Sequence, residues 1–146
     1  MLILLLVGCS LNSTQEASLN RAVTAYMESN NAGALVSFVS FTHPNAVKYY
    51  KEQGDTVFQN RFRLFTDDGD GEYLQDPVIK TIETDGNIIH VHYSILRVED
   101  YFFSQRATET DLVAVSEDDG ANWFFIEGRD YKNEKIISKD NRLIEF

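Results

Sequence analysis

The feature that most constrains this chain is a change of period. Ahead of the acidic run Asp67-Asp68-Gly69-Asp70-Gly71-Glu72, apolar residues recur every three or four positions; after it they recur at every second position. The first spacing marks one face of a helix and the second marks a half-buried strand. Helices come first and strands follow. That order predicts an α+β fold, with N-terminal helices packed on one face of a curved antiparallel sheet in a single domain.

Local signals place the elements. Leu19, Ala22, Val23, Tyr26 and Met27 share one face, which predicts a helix over residues 16–29, ended by Asn30-Asn31. A shorter, largely apolar helix is expected over 32–41. Pro44 stops it, because the residue before a proline is pushed out of the helical region. Pro44 also suits the first turn of a third helix over 44–53, with Gly54 after its end. Asp55 then caps a fourth stretch carrying Val57, Phe58, Phe62 and Phe65. Beyond the acidic run, strands are expected over 78–84 and 87–97 around an Asp85-Gly86 turn, and over 111–116 and 122–127 around a turn at 118–120. Residues 98–109, with Tyr101, Phe102 and Phe103, read as a long connection. The tail from Lys132 is charged, yet Ile136, Ile137, Leu143, Ile144 and Phe146 predict that it docks.

Composition limits the partners. The 146 residues carry a net charge of −10, which argues against nucleic acid or an anionic lipid surface as an electrostatic partner. Hydrophobic content of 43% and aromatic content of 12% supply a core, so a disordered chain is not expected. With a single cysteine there is no internal disulfide, and the core must hold the fold.

That cysteine closes the opening segment MLILLLVGC. The apolar run is too short for a membrane span, which needs about 20 residues. Its length suits the apolar part of a secretory signal. Leu6-Val7-Gly8-Cys9 resembles a bacterial lipobox, although no Lys or Arg precedes the run. The resemblance implies cleavage before Cys9, lipidation of its sulfur and acylation of its new N-terminus. Residues 1–8 are then a signal segment, 9–15 a lipidated tether and 16–146 the folded domain. The implied location is the cell envelope, with Ser10 after the cysteine favouring the outer membrane, and the implied partner is the membrane itself.

Within the domain, AVTAYMESNNAGALVSFVSFTHP (22–44) resembles the opening of the nuclear-transport-factor-2-like superfamily, also called SnoaL-like, a cystatin-like α+β cone. The matching pattern is Tyr26 on the first helix, Gly33 seven residues later, and an apolar helix ending near Pro44. The resemblance implies a cone-shaped pocket between sheet and helices and a homodimer through the sheet. Tyr26, Phe38, Phe41, Tyr93 and Trp123 are the expected lining. Tyr26 stands where the steroid-isomerase branch places an oxyanion-stabilising tyrosine. That chemistry also needs a carboxylate base, and the corresponding stretch Asn45-Ala46-Val47-Lys48-Tyr49-Tyr50 holds no acid. No catalytic residue is assigned and no cofactor is expected.

Other candidates have structural readings. His90 and His92 alternate along one strand and share a face; with Glu83 or Asp111 they resemble part of a zinc site, but a third ligand is not evident. Their face is expected to meet solvent or another sheet, because Ile89, Val91, Tyr93 and Ile95 occupy the face turned to the helices. His43 precedes Pro44 in a helix-start loop and reads as a cap or as a surface residue. The acidic run fits neither register of a calcium loop, which needs Gly at its sixth position. Ser116-Glu117-Asp118-Asp119-Gly120-Ala121-Asn122-Trp123 resembles an Asp-box, S-x-D-x-G-x-x-W, a structural hairpin staple. The expectation is therefore an envelope lipoprotein whose domain binds a small apolar ligand or a protein partner without catalysis. The alternatives are an isomerase-type enzyme using Tyr26 and an assembly protein that pairs through its sheet.

Overall fold

Asn12 starts the first helix. Its side chain accepts the Gln15 backbone N–H at 2.8 Å, and the Gln15 side chain accepts the Asn12 N–H at 3.0 Å, a complete capping box. Helix α1 therefore runs Ser13–Asn31 and begins three residues before the expected start, inside the segment read as tether. The apolar stripe misses this first turn because only its cap, and no buried side chain, holds it. The computed structural model describes residues 10–62, 72–101, 103–144 and 146. The lipobox with Cys9, most of the acidic run, Phe65 and Phe102 lie outside the described residues.

Ala32 and Gly33 form a turn, with Gly33 at φ 65°, so α2 is shorter than expected, Leu35–Phe41. Helix α3 (Pro44–Glu52) follows with proline in its first turn, and α4 (Asp55–Arg61) follows Gly54, whose φ of 107° suits glycine.

The strands are β1 (Glu72–Asp85), β2 (Ile88–Tyr101), β3 (Ser104–Ser116) and β4 (Phe124–Glu127), antiparallel in the order β1-β2-β3-β4. Three sequence expectations change here. The first turn is Gly86-Asn87, with Asp85 paired to Ile88. Strand β1 begins at Glu72 and passes Pro77 through a register shift, beside Asp76 at φ 54°. Residues 98–109 are not a loop, because β2 and β3 pair continuously from Ile89–Ser116 to Tyr101–Ser104. Residues 104–109 are exposed, so nothing imposed an alternation there that a sequence could display.

Both faces of the sheet are covered. On the front, Ile89, Val91, Tyr93, Ile95, Leu112, Ala114 and Phe125 pack with Leu19, Val23, Tyr26, Phe38 and Phe62 of the helices. Each of the larger aliphatic and phenylalanine side chains contributes about 1.5–3 kcal/mol of burial. On the back, Val113, Val115 and Ile126 meet Tyr131 of the short helix α5 (Gly128–Tyr131) and Ile136, Ile137 and Ile144 of the C-terminal segment. The tail docks as its apolar pairs foretold. It also corrects the expectation for the histidine face: His90 lies beneath it, only 3% exposed.

Two clips tie the layers together. The Leu74 N–H donates to the Asn31 carboxamide oxygen at 2.7 Å, and the Asn31 amide donates to the Leu74 carbonyl at 3.0 Å, so a side chain closes part of the β1 edge. At the other edge, Thr42 forms an isolated parallel bridge with Phe125.

Candidate functional site

Helix α1 and strand β4 bring Tyr26 into the front layer between two rings. Its centroid lies 5.0 Å from Phe38 and 4.7 Å from Phe125, both stacked. Tyr93 and Trp123 are buried in the same cluster, and Phe41 packs against it half-buried. The five residues expected to line a pocket thus belong to one apolar cluster. None of them lines the clefts found among the described residues. The Tyr93 hydroxyl and the Trp123 indole N–H are buried without a hydrogen-bond partner among those residues.

A charged network borders this cluster. Arg61, ending α4, reaches Asp130 at 2.6 Å and Glu127 at 3.3 Å, and its guanidinium lies 5.1 Å over the Tyr50 ring. The Tyr50 hydroxyl donates to Asp130 at 2.7 Å. Arg97 on β2 joins Glu127 at 3.0 Å and also pairs with Glu72; Arg129 reaches Glu127 at 3.3 Å. These groups form much of the wall of a cleft of about 560 Å³.

Electrostatics fix the protonation states. Burial pushes the Glu127 carboxyl up, but Arg61, Arg97 and Arg129 outweigh it and hold Glu127 below the usual carboxylate range. Burial pulls the Arg61 guanidinium down, and Glu127 and Asp130 outweigh that in turn. Tyr26 is raised by burial first and by Glu127 second, so it stays a neutral donor. Sequence reasoning sought an acid after the second helix. The acids that act on Tyr26 come from 127 and 130, a full sheet away in sequence, and no local signal pointed to them.

A second cleft, about 520 Å³, lies between α2, α3 and β4. Val39, Val47, Pro44 and Phe124 form its apolar part, and Lys48 and Lys51 stand in its wall. Val36, 85% exposed, extends the apolar surface along α2.

The histidines take separate partners. His92 Nε2 meets Asp111 at 2.9 Å, while His90 Nδ1 meets the Tyr131 hydroxyl at 2.8 Å. Glu83 is the β1 register partner of His90. Among the described residues no group of three His, Cys, Asp or Glu side chains is placed to hold a metal. His43 caps α3, its Nδ1 accepting the Asn45 N–H at 3.2 Å, but it is buried rather than at the surface.

The Asp-box residues form a staple. Gly120 N–H donates to Ser116 Oγ at 2.8 Å, and Asn122 N–H donates to Asp118 Oδ1 at 2.8 Å. Gln15 Nε2 donates to the Asp119 carbonyl at 3.0 Å, so the turn also holds the start of α1. No family model matches the chain, and neither a curated protein nor a solved structure matches it.

Proposed function

We propose that this chain is a lipid-anchored envelope protein whose α+β domain binds a small apolar ligand, or an apolar segment of a partner, without catalysis. One observation carries the non-catalytic part. The carboxylates that act on Tyr26 are already occupied by Arg61, Arg97 and Arg129. Glu127, held below its usual range by these arginines, is a poor proton acceptor at neutral pH. Binding is supported by the open apolar cleft between α2 and α3, in whose wall Lys48 pairs with Glu52 at 3.9 Å and Lys51 is placed to meet an anionic end of a ligand.

The anilinonaphthalene sulfonate fluorophore, apolar and anionic, tests the cleft. Saturable binding to the native chain is expected, with affinity about tenfold weaker for Val39→Glu. Equal affinity in the two proteins would remove the cleft from the proposal. The anchor is tested by fractionation of cells: Cys9→Ala is expected to move the protein from the membrane to the soluble fraction. A protein that stays membrane-bound defeats that part. Pairing through the sheet is a second reading, favoured by Val78 and Ile79, 57% and 42% exposed on the edge strand β1. Sedimentation over a concentration series distinguishes it, since only that reading requires a dimer.

A further inference from the structure

The cleft between α2 and α3 is built from one face of each helix. Val36, Val39 and Ser40 stand three and four residues apart on α2, and Pro44, Val47, Lys48 and Lys51 repeat that spacing on α3. The His43 N–H donates to the Phe125 carbonyl at 2.8 Å, which sets β4, and with it Phe124, beside the start of α3. The cleft is therefore polarised. Its apolar wall lies where α3 begins, and its charged side chains, Lys48, Lys51 and Glu52, all come from the later turns of that helix.

The apolar end has no side-chain donor to offer. Its two hydroxyls are engaged within α2: Ser40 donates to the Ser37 carbonyl at 2.6 Å and Thr42 to the Phe38 carbonyl at 2.9 Å. A sugar or an extended peptide would bring acceptor oxygens that lose water there without a donor. An alkyl chain brings none.

The other end carries one surplus positive charge. Lys48 pairs with Glu52 at 3.9 Å, whereas Lys51 makes no ion pair among the described residues. Its Nζ lies 5.6 Å over the Phe58 ring, which holds the ammonium without neutralising it. Two cations against one carboxylate match a monoanion, and this surplus runs against the net charge of −10 of the chain. From Pro44 to Lys51 the helix rises about 10 Å. With a C–C bond of about 1.5 Å, roughly eight extended carbons span that rise, and further ones lie along the exposed Val36.

We propose that the ligand of this cleft is a fatty acid of medium chain length, its carboxylate at Lys51 and its alkyl chain against Val39, Val47 and Phe124. The assignment rests on the proposed binding function of the cleft and narrows it to one chemical class.

The test records ¹H–¹⁵N spectra of the full ¹⁵N-labelled chain at low salt while sodium decanoate is added. Saturable shifts are expected at the Val39, Val47 and Lys51 amides, with Val113 and Val115 on the back of the sheet unmoved. Decylammonium, of opposite charge, is expected to bind about tenfold more weakly. Lys51→Met is expected to weaken decanoate about three- to fivefold, the size of one exposed ion pair, and to leave 1-decanol unchanged. Glu52→Gln frees Lys48 and is expected to tighten decanoate about threefold, a gain that damage to the fold would not produce. Equal affinity for decanoate and decylammonium, or decanoate affinity unchanged by Lys51→Met, overturns the carboxylate assignment. Shifts spread over both faces of the sheet mark detergent-like binding and overturn it as well. No saturable shift by about 5 mM decanoate defeats the fatty acid, while anilinonaphthalene sulfonate that still binds in a Val39-dependent manner keeps the cleft itself in place. Failure of both ligands removes the cleft.

Discussion

Replacing His90 with Gln removes the imidazole that ties the C-terminal segment to the back of the sheet, and the structure sets the size of the effect. The Tyr131 hydroxyl holds the Leu143 and Ile144 amides and gives its proton to His90 Nδ1. Protonating His90 would put N–H against O–H and break that chain of bonds. In an unfolded chain a histidine titrates near 6.5, whereas His90 in the fold titrates at about 4, because burial and then His43 oppose its charge. The folded chain therefore binds fewer protons between these two values. Stability from this group is complete above pH 6.5 and is lost as the pH falls from there toward 4. At 1.36 kcal/mol per unit, the loss is about 2 kcal/mol at pH 5 and roughly 3 kcal/mol over the whole window.

The other titratable groups are the same in both proteins, Asp85, Glu117, Glu134 and Asp140 of the cleft that His90 lines among them. His43, from the cap of α3, shifts in the same direction and stays in both proteins, so the difference between them isolates His90. Glu127, Glu109 and Asp118 are all lowered, so they act only below their ordinary values of 4.5 or 3.8. Glu83 opposite on β1 remains in both proteins. The assay is urea unfolding followed by Trp123 fluorescence at pH 7.5, 6.0 and 5.0. His90→Gln is expected to lose about 2 kcal/mol less than the native chain between pH 7.5 and 5.0, whatever its starting stability. Parallel losses in the two proteins would refute both the buried neutral tautomer and its role in docking the tail.

Two further outcomes follow from the front layer and the staple. Arg61→Met strips the cation shared by Glu127 and Asp130 and is expected to cost about 3–5 kcal/mol by urea unfolding, partly recovered by adding Glu127→Gln; a cost under about 1 kcal/mol would mean the network is solvated. Gly120→Ala forces an L residue to φ 85° and sets its Cβ 2.8 Å from Gln15 Cγ. It is expected to cost about 1–3 kcal/mol in thermal unfolding. Adding Gln15→Ala should return only the contact part, because the backbone strain persists.

The sequence displayed the fold wherever burial was one-sided. The stripe of Leu19, Val23 and Tyr26 and the alternation of Ile89, Val91, Tyr93 and Ile95 were visible because each has a wet opposite face or a differently used one. The start of β3 was not visible, since its exposed residues 104–109 impose no pattern, and the start of β1 and the end of β2 were not visible because each buries one isolated apolar residue, Leu74 and Val98, among half-buried neighbours. The back layer was half legible. Ile136, Ile137 and Ile144 announced docking, but nothing local said that the segment would land on His90, because the link is a single hydroxyl, Tyr131, meeting backbone amides twelve and thirteen residues on. The charged network was illegible for the same reason: Arg61, Glu72, Arg97 and Glu127 come from four elements and share no spacing.

Glu127 carries the choice between binding and catalysis. For Tyr26 to stabilise an oxyanion while a neighbouring carboxylate moves a proton, the carboxylate must be desolvated and free of cations, so that its pKa rises toward neutrality. Glu127 has the first condition and lacks the second. Burial would raise it, yet three arginines pull it below its usual range. Two of them are themselves fixed: Arg61 by Asp130 and the faces of Tyr50 and Phe62, Arg97 by Glu72. A substrate would have to displace one of these pairs to free the base, against charge-assisted bonds already made in the unliganded fold. The same pairs join α4, β1, β2, β4 and α5 beside the aromatic core. Their most economical role is to fasten the helices to the sheet, which leaves the cleft between α2 and α3 as the surface open to a ligand.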